Sequence, residues 1–128
     1  MPLNKIFSGS FVAAEKALNL RATRQGFIQS NIANINTPGY AVQDFDFKKA
    51  MARAMAAQPA LATTDPGHME PDPVDLTQEM TFSKEKRPVD LDEEMLKLSE
   101  NQLMYQVSAK LITKELEDIR YAIDEGGK

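Results

Sequence analysis

The chain has 128 residues, of which 15 are Lys or Arg and 19 are Asp or Glu, for a net charge of −4. That length holds one domain at most, and the acidic balance excludes a general nucleic-acid binder, which needs a basic surface to displace counterions. With no Cys and one His, His68, a disulfide framework, a thiol nucleophile and a multi-His metal site are excluded as well.

The charge is uneven along the chain. Residues 1–50 carry six basic and three acidic side chains, whereas residues 65–94 carry ten acidic and three basic. A basic first third and an acidic middle suit contacts within or between subunits better than a field aimed at one ligand. The start, Met1-Pro2-Leu3-Asn4-Lys5, leads into no apolar run of signal-peptide length, and no segment reads as a membrane span. If the chain leaves the cytoplasm, the expected route uses no cleaved signal.

Residues 10–36 read as a long helix, roughly 40 Å in extent. A heptad seam runs through Phe11, Ala14, Leu18, Arg21, Gln25, Ile28, Ile32 and Ile35. Ser10 is the expected N-cap. Pro38 pushes Thr37 out of the helical region, and Gly39 tolerates a positive φ, so the helix stops there.

Residues 44–58 read as a short second helix, because Phe47, Ala50, Met51, Ala54 and Met55 share one face. Asp44 or Asp46 is its expected cap. Residues 59–89 carry Pro59, Pro66, Pro71, Pro73 and Pro88 and few large apolar side chains, which predicts an irregular loop with room for a short strand near Met80 to Phe82.

Residues 90–124 read as the strongest helix. Asp90 and Glu93 form a capping-box pattern, and a seam runs Leu91, Met95, Leu98, Gln102, Tyr105, Ala109, Ile112, Leu116, Ile119 and Ile123. Leu96, Leu103, Val107 and Leu111 lie off that seam. A helix apolar on two sides needs two packing partners, and one partner helix in the chain leaves the second side to other subunits. The predicted fold is therefore mainly α: the long N- and C-terminal helices form an antiparallel coiled-coil-like pair, with a short helix and an irregular Pro-rich middle.

No constellation for catalysis emerges. His68 sits in a turn-like stretch with no nucleophile elbow to serve. The run Asp90, Asp92, Glu93, Glu94 lacks the Gly and distal Glu of a calcium loop and suits helix capping better. Lys48, Lys49 and Arg53 read as a solvated helix face, and Met51, Met55, Met95 and Met104 as packing residues. No cofactor, metal, small-molecule substrate or nucleic acid is implied. Asn31, Asn34 and Asn36 are unusual at the end of an apolar helix. Two compatible readings stand: they satisfy the last carbonyls and the turn, or one or two bond a neighbouring subunit and fix register.

The stretch Ser30-Asn31-Ile32-Ala33-Asn34-Ile35-Asn36-Thr37-Pro38-Gly39-Tyr40 resembles the signature of bacterial flagellar basal-body rod proteins: Asn-Ile-Ala-Asn, two residues, then Thr-Pro-Gly-Tyr. Asn31, Ala33, Asn34, Thr37, Pro38, Gly39 and Tyr40 carry it. The likeness continues in Ala17–Ala22, Arg24-Gln25 and Asp44-Phe45-Asp46-Phe47, and again in Val89–Asp92, Met95, Asn101-Gln102-Leu103 and Tyr105-Gln106. This fuller pattern is similar to the proximal branch of the family, rod protein B. One departure is Ser83–Pro88, which stands where the family often has an Asp-Gly-Asn turn.

The resemblance implies a structural, non-enzymatic rod subunit on the path of torque from motor to hook. Export through the flagellar type III apparatus without a cleaved signal, and a place in the periplasmic rod, follow from it. The implied partners are copies of itself, other rod proteins, and the rod-adaptor and export-gate proteins at the rod base. Phe47 and Met51 fit the implied export signal, a Phe followed four residues later by an apolar residue; Phe7 and Phe11 fit it too. The terminal helices are expected to pack through Phe11, Leu18, Ile28, Ile32 and Ile35 on one side and Leu98, Tyr105, Ile112, Leu116 and Ile119 on the other, against each other or against adjacent subunits. The alternatives are another short axial rod protein and a cytoplasmic helical adaptor.

Overall fold

The computed structural model describes residues 9–56 and 88–127, together with the backbone of 80–82. The predicted loop at 59–89 and His68 therefore lie outside the described residues, except for 80–82 and Pro88-Val89. The element order is α1 (Gly9–Ala33), β1 (Gln43–Phe45), α2 (Phe47–Ala56), β2 (Met80–Phe82) and α3 (Leu91–Gly126). No described helix is long and apolar enough to cross a membrane.

The two long helices pack against each other, as the sequence predicts. Cross-links at three levels fix their direction. Asn31 near the end of α1 bonds Glu94 near the start of α3, Asn101 bonds Arg21 and Gln25, and Ser10 bonds Glu115. Each step back along α1 is matched by a step forward along α3, so the pair is antiparallel. The 36 residues of α3 outrun the 25 of α1. Beyond Glu115 the last eleven residues of α3, roughly three turns, pass the level at which the described part of α1 begins.

The expected bounds shift for local reasons. The first helix ends at Ala33, three residues short of the predicted 36, because bonds of Ile35 N–H to Ile32 and of Thr37 N–H to Asn34 tighten the chain into turns. It also begins at Gly9, so Ser10 is not the cap. It lies in the first turn, and its hydroxyl donates to the Glu115 carboxylate. The short helix begins at Phe47, not 44, because residues 43–45 form a strand that the sequence reading assigned to helix and loop. β1 pairs antiparallel with β2, Asp44 opposite Thr81. Of the two candidate caps for α2, Asp46 serves, accepting from the Lys49 N–H at 3.1 Å. Asp90 caps α3 as expected, accepting from the N–H groups of Asp92 and Glu93.

The core is small and sits beside the helix pair. Leu20 of α1, Phe45 of β1 and Ala50 and Ala54 of α2 are buried together, flanked by Phe27, Phe47 and Met51. Phe27 meets Phe45 edge to face, with ring centroids 5.9 Å apart. The alanines let α2 lie close to this cluster. Lys16 ties α2 to α1 by donating to the carbonyl of Ala54. Phe45 joins α1, β1 and α2, so Phe45→Ala is expected to lower unfolding free energy by roughly 3 kcal/mol, the usual cost of emptying a Phe site. Urea denaturation of the full chain measures this.

Candidate functional site

The chain leaves α1 through a turn that its own side chains build. Thr37-Pro38-Gly39-Tyr40 closes with the Tyr40 N–H donating to the Thr37 carbonyl at 3.3 Å. Pro38 presets the first central position of this turn, and Gly39 at φ +75° supplies the left-handed second one. Asn34 closes the helix behind it. Its Nδ2 donates to the Ser30 carbonyl at 2.8 Å, and its Oδ1 accepts from the Thr37 hydroxyl at 3.1 Å.

Asn31 is the junction. It is 1% exposed, and its amide uses its full bonding capacity. Nδ2 donates to the Gln43 carbonyl at 2.7 Å and to Glu94 Oε2 at 3.0 Å. Oδ1 accepts from the Tyr40 hydroxyl at 3.0 Å and from the Gln43 N–H at 2.9 Å. One side chain thus joins the end of α1, the turn, the start of β1 and the start of α3. The Ser30 hydroxyl lies 3.2 Å from that of Tyr40 and extends the network.

Glu94 is 2% exposed, and a buried carboxylate must be partnered. Besides Asn31 it meets Lys97 Nζ at 3.1 Å, and Lys97 also reaches Glu93 at 2.8 Å. Burial works against the Lys97 charge, but the hydrogen bonds to Glu93 and Glu94 outweigh it and raise its pKa above 10.5. A raised folded-state value makes this contribution complete at neutral pH and lost only in the alkaline range, above the ordinary lysine pKa.

A second set of contacts brings together stretches twenty or more residues apart. Arg24 forms a two-bond pair with Asp44, Nε to Oδ1 at 3.0 Å and Nη2 to Oδ2 at 2.9 Å. The Arg21 guanidinium lies 3.6 Å from the Phe47 ring centroid. Composition and periodicity offered no signal for either pair.

The other sequence-predicted residues fall into three groups. Ala33, Thr37, Pro38 and Gly39 lie exposed at the turn. On the helices, Ile28 is fully buried, and Phe11, Leu18, Ile32, Ile35, Leu98, Ile112 and Ile119 are half-buried. Tyr105 and Leu116 are exposed, at 41% and 48%. Phe47 and Met51 are half-buried against the core. The fully buried positions of α3 are Glu94, Asn101 and Ser108, none of which lies on the seam expected from the sequence. Their seven-residue spacing was the available signal. Leu96, Leu103, Val107, Leu111, Tyr121 and Ile123 stand in solvent along α3.

Two clefts accompany these features. One of about 500 Å³ lies between the turn and Pro88-Val89, and one of about 490 Å³ lies between α1 and α3 at Gln25 and Gln102. Among the described residues neither lining contains a carboxylate, imidazole or thiol. Among the described residues no group of three or more potential ligands is arranged to hold a metal.

An antiparallel helix pair closed by an asparagine-pinned turn, with apolar surface left outside, is the form of an assembly subunit. Residues 12–40, most of α1 and the whole turn, match the family model described as flagella basal body rod protein. The chain is 33% identical over 125 residues to the flagellar basal body rod protein FlgB of Escherichia coli K12, covering 88% of this chain and 91% of that one. It is 31% identical over 131 residues to FlgB of Yersinia enterocolitica, covering 92% and 96%. It is 33% identical over 120 residues to FlgB of Cereibacter sphaeroides ATCC 17023, covering 84% and 88%. The chain belongs to the flagellar basal body rod proteins, in the rod protein B (FlgB) family.

The junction predicts a pH signature. Asn31→Asp replaces the donor that faces Glu94 with a second carboxylate. Two like charges sharing one buried site raise a carboxylate pKa in the folded state, so the folded form binds more protons than the unfolded one and gains stability as pH falls. Asn31→Asp is expected to be markedly less stable than the parent at pH 7 and to recover part of the deficit toward pH 5. Thermal midpoints of both proteins across that range test it.

Proposed function

We propose that the chain is one structural, non-enzymatic subunit of the proximal rod, transmitting motor torque toward the hook. The observation that carries this is the outer side of α3. Leu96, Leu103, Val107 and Leu111 are 42–61% exposed along one helix, more apolar surface than a chain with one long partner helix covers. In a rod, that surface is buried between subunits, and close-packed helices resist shear. Its partners are further copies of the chain, other rod proteins, and the rod-adaptor and export-gate proteins at the base. The subunit reaches the periplasm through the type III apparatus without a cleaved signal.

Leu116→Asp tests the assembly role. Leu116 is exposed in the single chain, so the variant is expected to fold with a thermal midpoint close to the parent's. Between subunits, the same charge meets a desolvation cost of several kcal/mol. Cells producing it in place of the parent are expected to lose motility, while Glu117→Ala cells swim. Equal swimming of the two overturns the reading.

Phe47 and Met51 form the proposed export signal. In the folded chain they lie against the core beside Leu20 and Phe45, so a gate that reads them must read the unfolded chain. Phe47→Ala is expected to reduce secretion severalfold. Phe45→Ala, which damages the same core without touching the signal, is expected to leave secretion intact. Secreted protein in culture supernatants of the two strains distinguishes loss of signal from loss of fold.

A further inference from the structure

The side of α3 turned toward α1 carries a polar residue at every seventh position. Glu94, Asn101 and Ser108 are 2%, 1% and 7% exposed, and Glu115 follows, half-buried. Three of the four reach across. Glu94 accepts from Asn31 Nδ2. Asn101 Nδ2 donates to the Arg21 carbonyl at 2.8 Å and to Gln25 Oε1 at 3.0 Å. Glu115 accepts from the Ser10 hydroxyl. Ser108 donates back to Met104 within its own helix.

One position beyond the four rungs stand Met95, Gln102, Ala109 and Leu116, of which Met95 and Leu116 are 47% and 48% exposed. Burial alone ranks the two sets the other way, because a Met or Leu gains by leaving water and an Asn or Glu loses. Rotating α3 by one residue, about 100°, would bring that less polar set inward. The rungs oppose that rotation, and since each bonds a different level of α1, they oppose sliding as well. Asn101 adds a second observation: its Oδ1 is buried with no hydrogen-bond partner. An unsatisfied acceptor lowers stability, as a buried Asn does when it selects one coiled-coil register at a net cost.

We infer that Glu94 and Asn101 are the specificity residues of the helix pair, fixing both the register and the rotational setting of α3 on α1 so that the apolar side of α3 stays outward. The link to assembly rests on the proposed rod role. The register does not, and it can be read in the isolated full chain.

The chain has no Cys, so cysteines introduced at the exposed positions Glu15 and Glu100 take a pair of spin labels. The parent is expected to give one narrow distance distribution. Asn101→Leu is expected to raise the thermal midpoint, and both it and its combination with Glu94→Leu are expected to add a population at other distances, displaced by about 10 Å for a one-heptad slip. Glu94→Gln, which keeps an acceptor for Asn31, is expected to retain the single distance. Multiple distances in the parent, the parental distance alone in both leucine variants, or a lowered midpoint for Asn101→Leu would each overturn the inference.

Discussion

The Asn31 side chain is the constraint on which the rest of the structure depends. Its two amide protons and two acceptor lone pairs are all used, on partners from the turn, β1 and α3. No other side chain type of that size presents two donors and two acceptors in one plane. An apolar residue there would leave the Gln43 N–H and the Glu94 carboxylate short of partners in a buried site, and an unmade buried bond costs more than a made one contributes. The direction in which the chain leaves α1, the start of the strand and the docking of α3 are therefore coupled through one amide. Asn34 and Gly39 assist: the first closes the last turn of the helix, and the second supplies the one positive-φ residue among those described.

Polar and apolar surface are distributed in an unusual way. In most two-helix contacts the apolar stripe faces inward. Here the three fully buried positions of the longest helix are Glu94, Asn101 and Ser108, while Leu96, Leu103, Leu111 and Leu116 remain in water. Within the single chain this is a poor use of apolar area. For a subunit of a rod it is a division of labour. Directional bonds set the internal geometry, and non-directional burial is left for contacts that form on assembly.

Much of this was legible in the sequence. Pro38 and Gly39 announced the stop of α1, Asp90 announced the start of α3, and the apolar excess of the last helix announced a second packing surface. The 3–4 apolar repeat proposed a seam in which Leu98, Ile112 and Ile119 are half-buried while Met95, Tyr105 and Leu116 are exposed, so the repeat by itself leaves the rotation loosely set. Periodicity measures how far apolar residues recur. It does not weigh a neighbouring column of polar residues whose partners lie far away in the chain, 63 positions for Glu94 and Asn31 and 80 for Asn101 and Arg21. β1 was hidden for a similar reason. Three residues give no period, and Asp44, a poor strand former, sits in the middle of the strand with its partner Arg24 twenty positions away.

Proton exchange at the Asn31 side-chain amide tests the account at its centre. In a nitrogen-labelled sample of the full chain, the exposed Asn36 is an internal standard, with side-chain protons that exchange at the rate of a solvated amide. Both Asn31 Nδ2 protons are expected to exchange far more slowly than those of Asn36, and Glu94→Ala is expected to accelerate one of them. Exchange of the Asn31 protons at the Asn36 rate would contradict it, because an amide open to water cannot be the junction that orders the turn, the strand and the second helix.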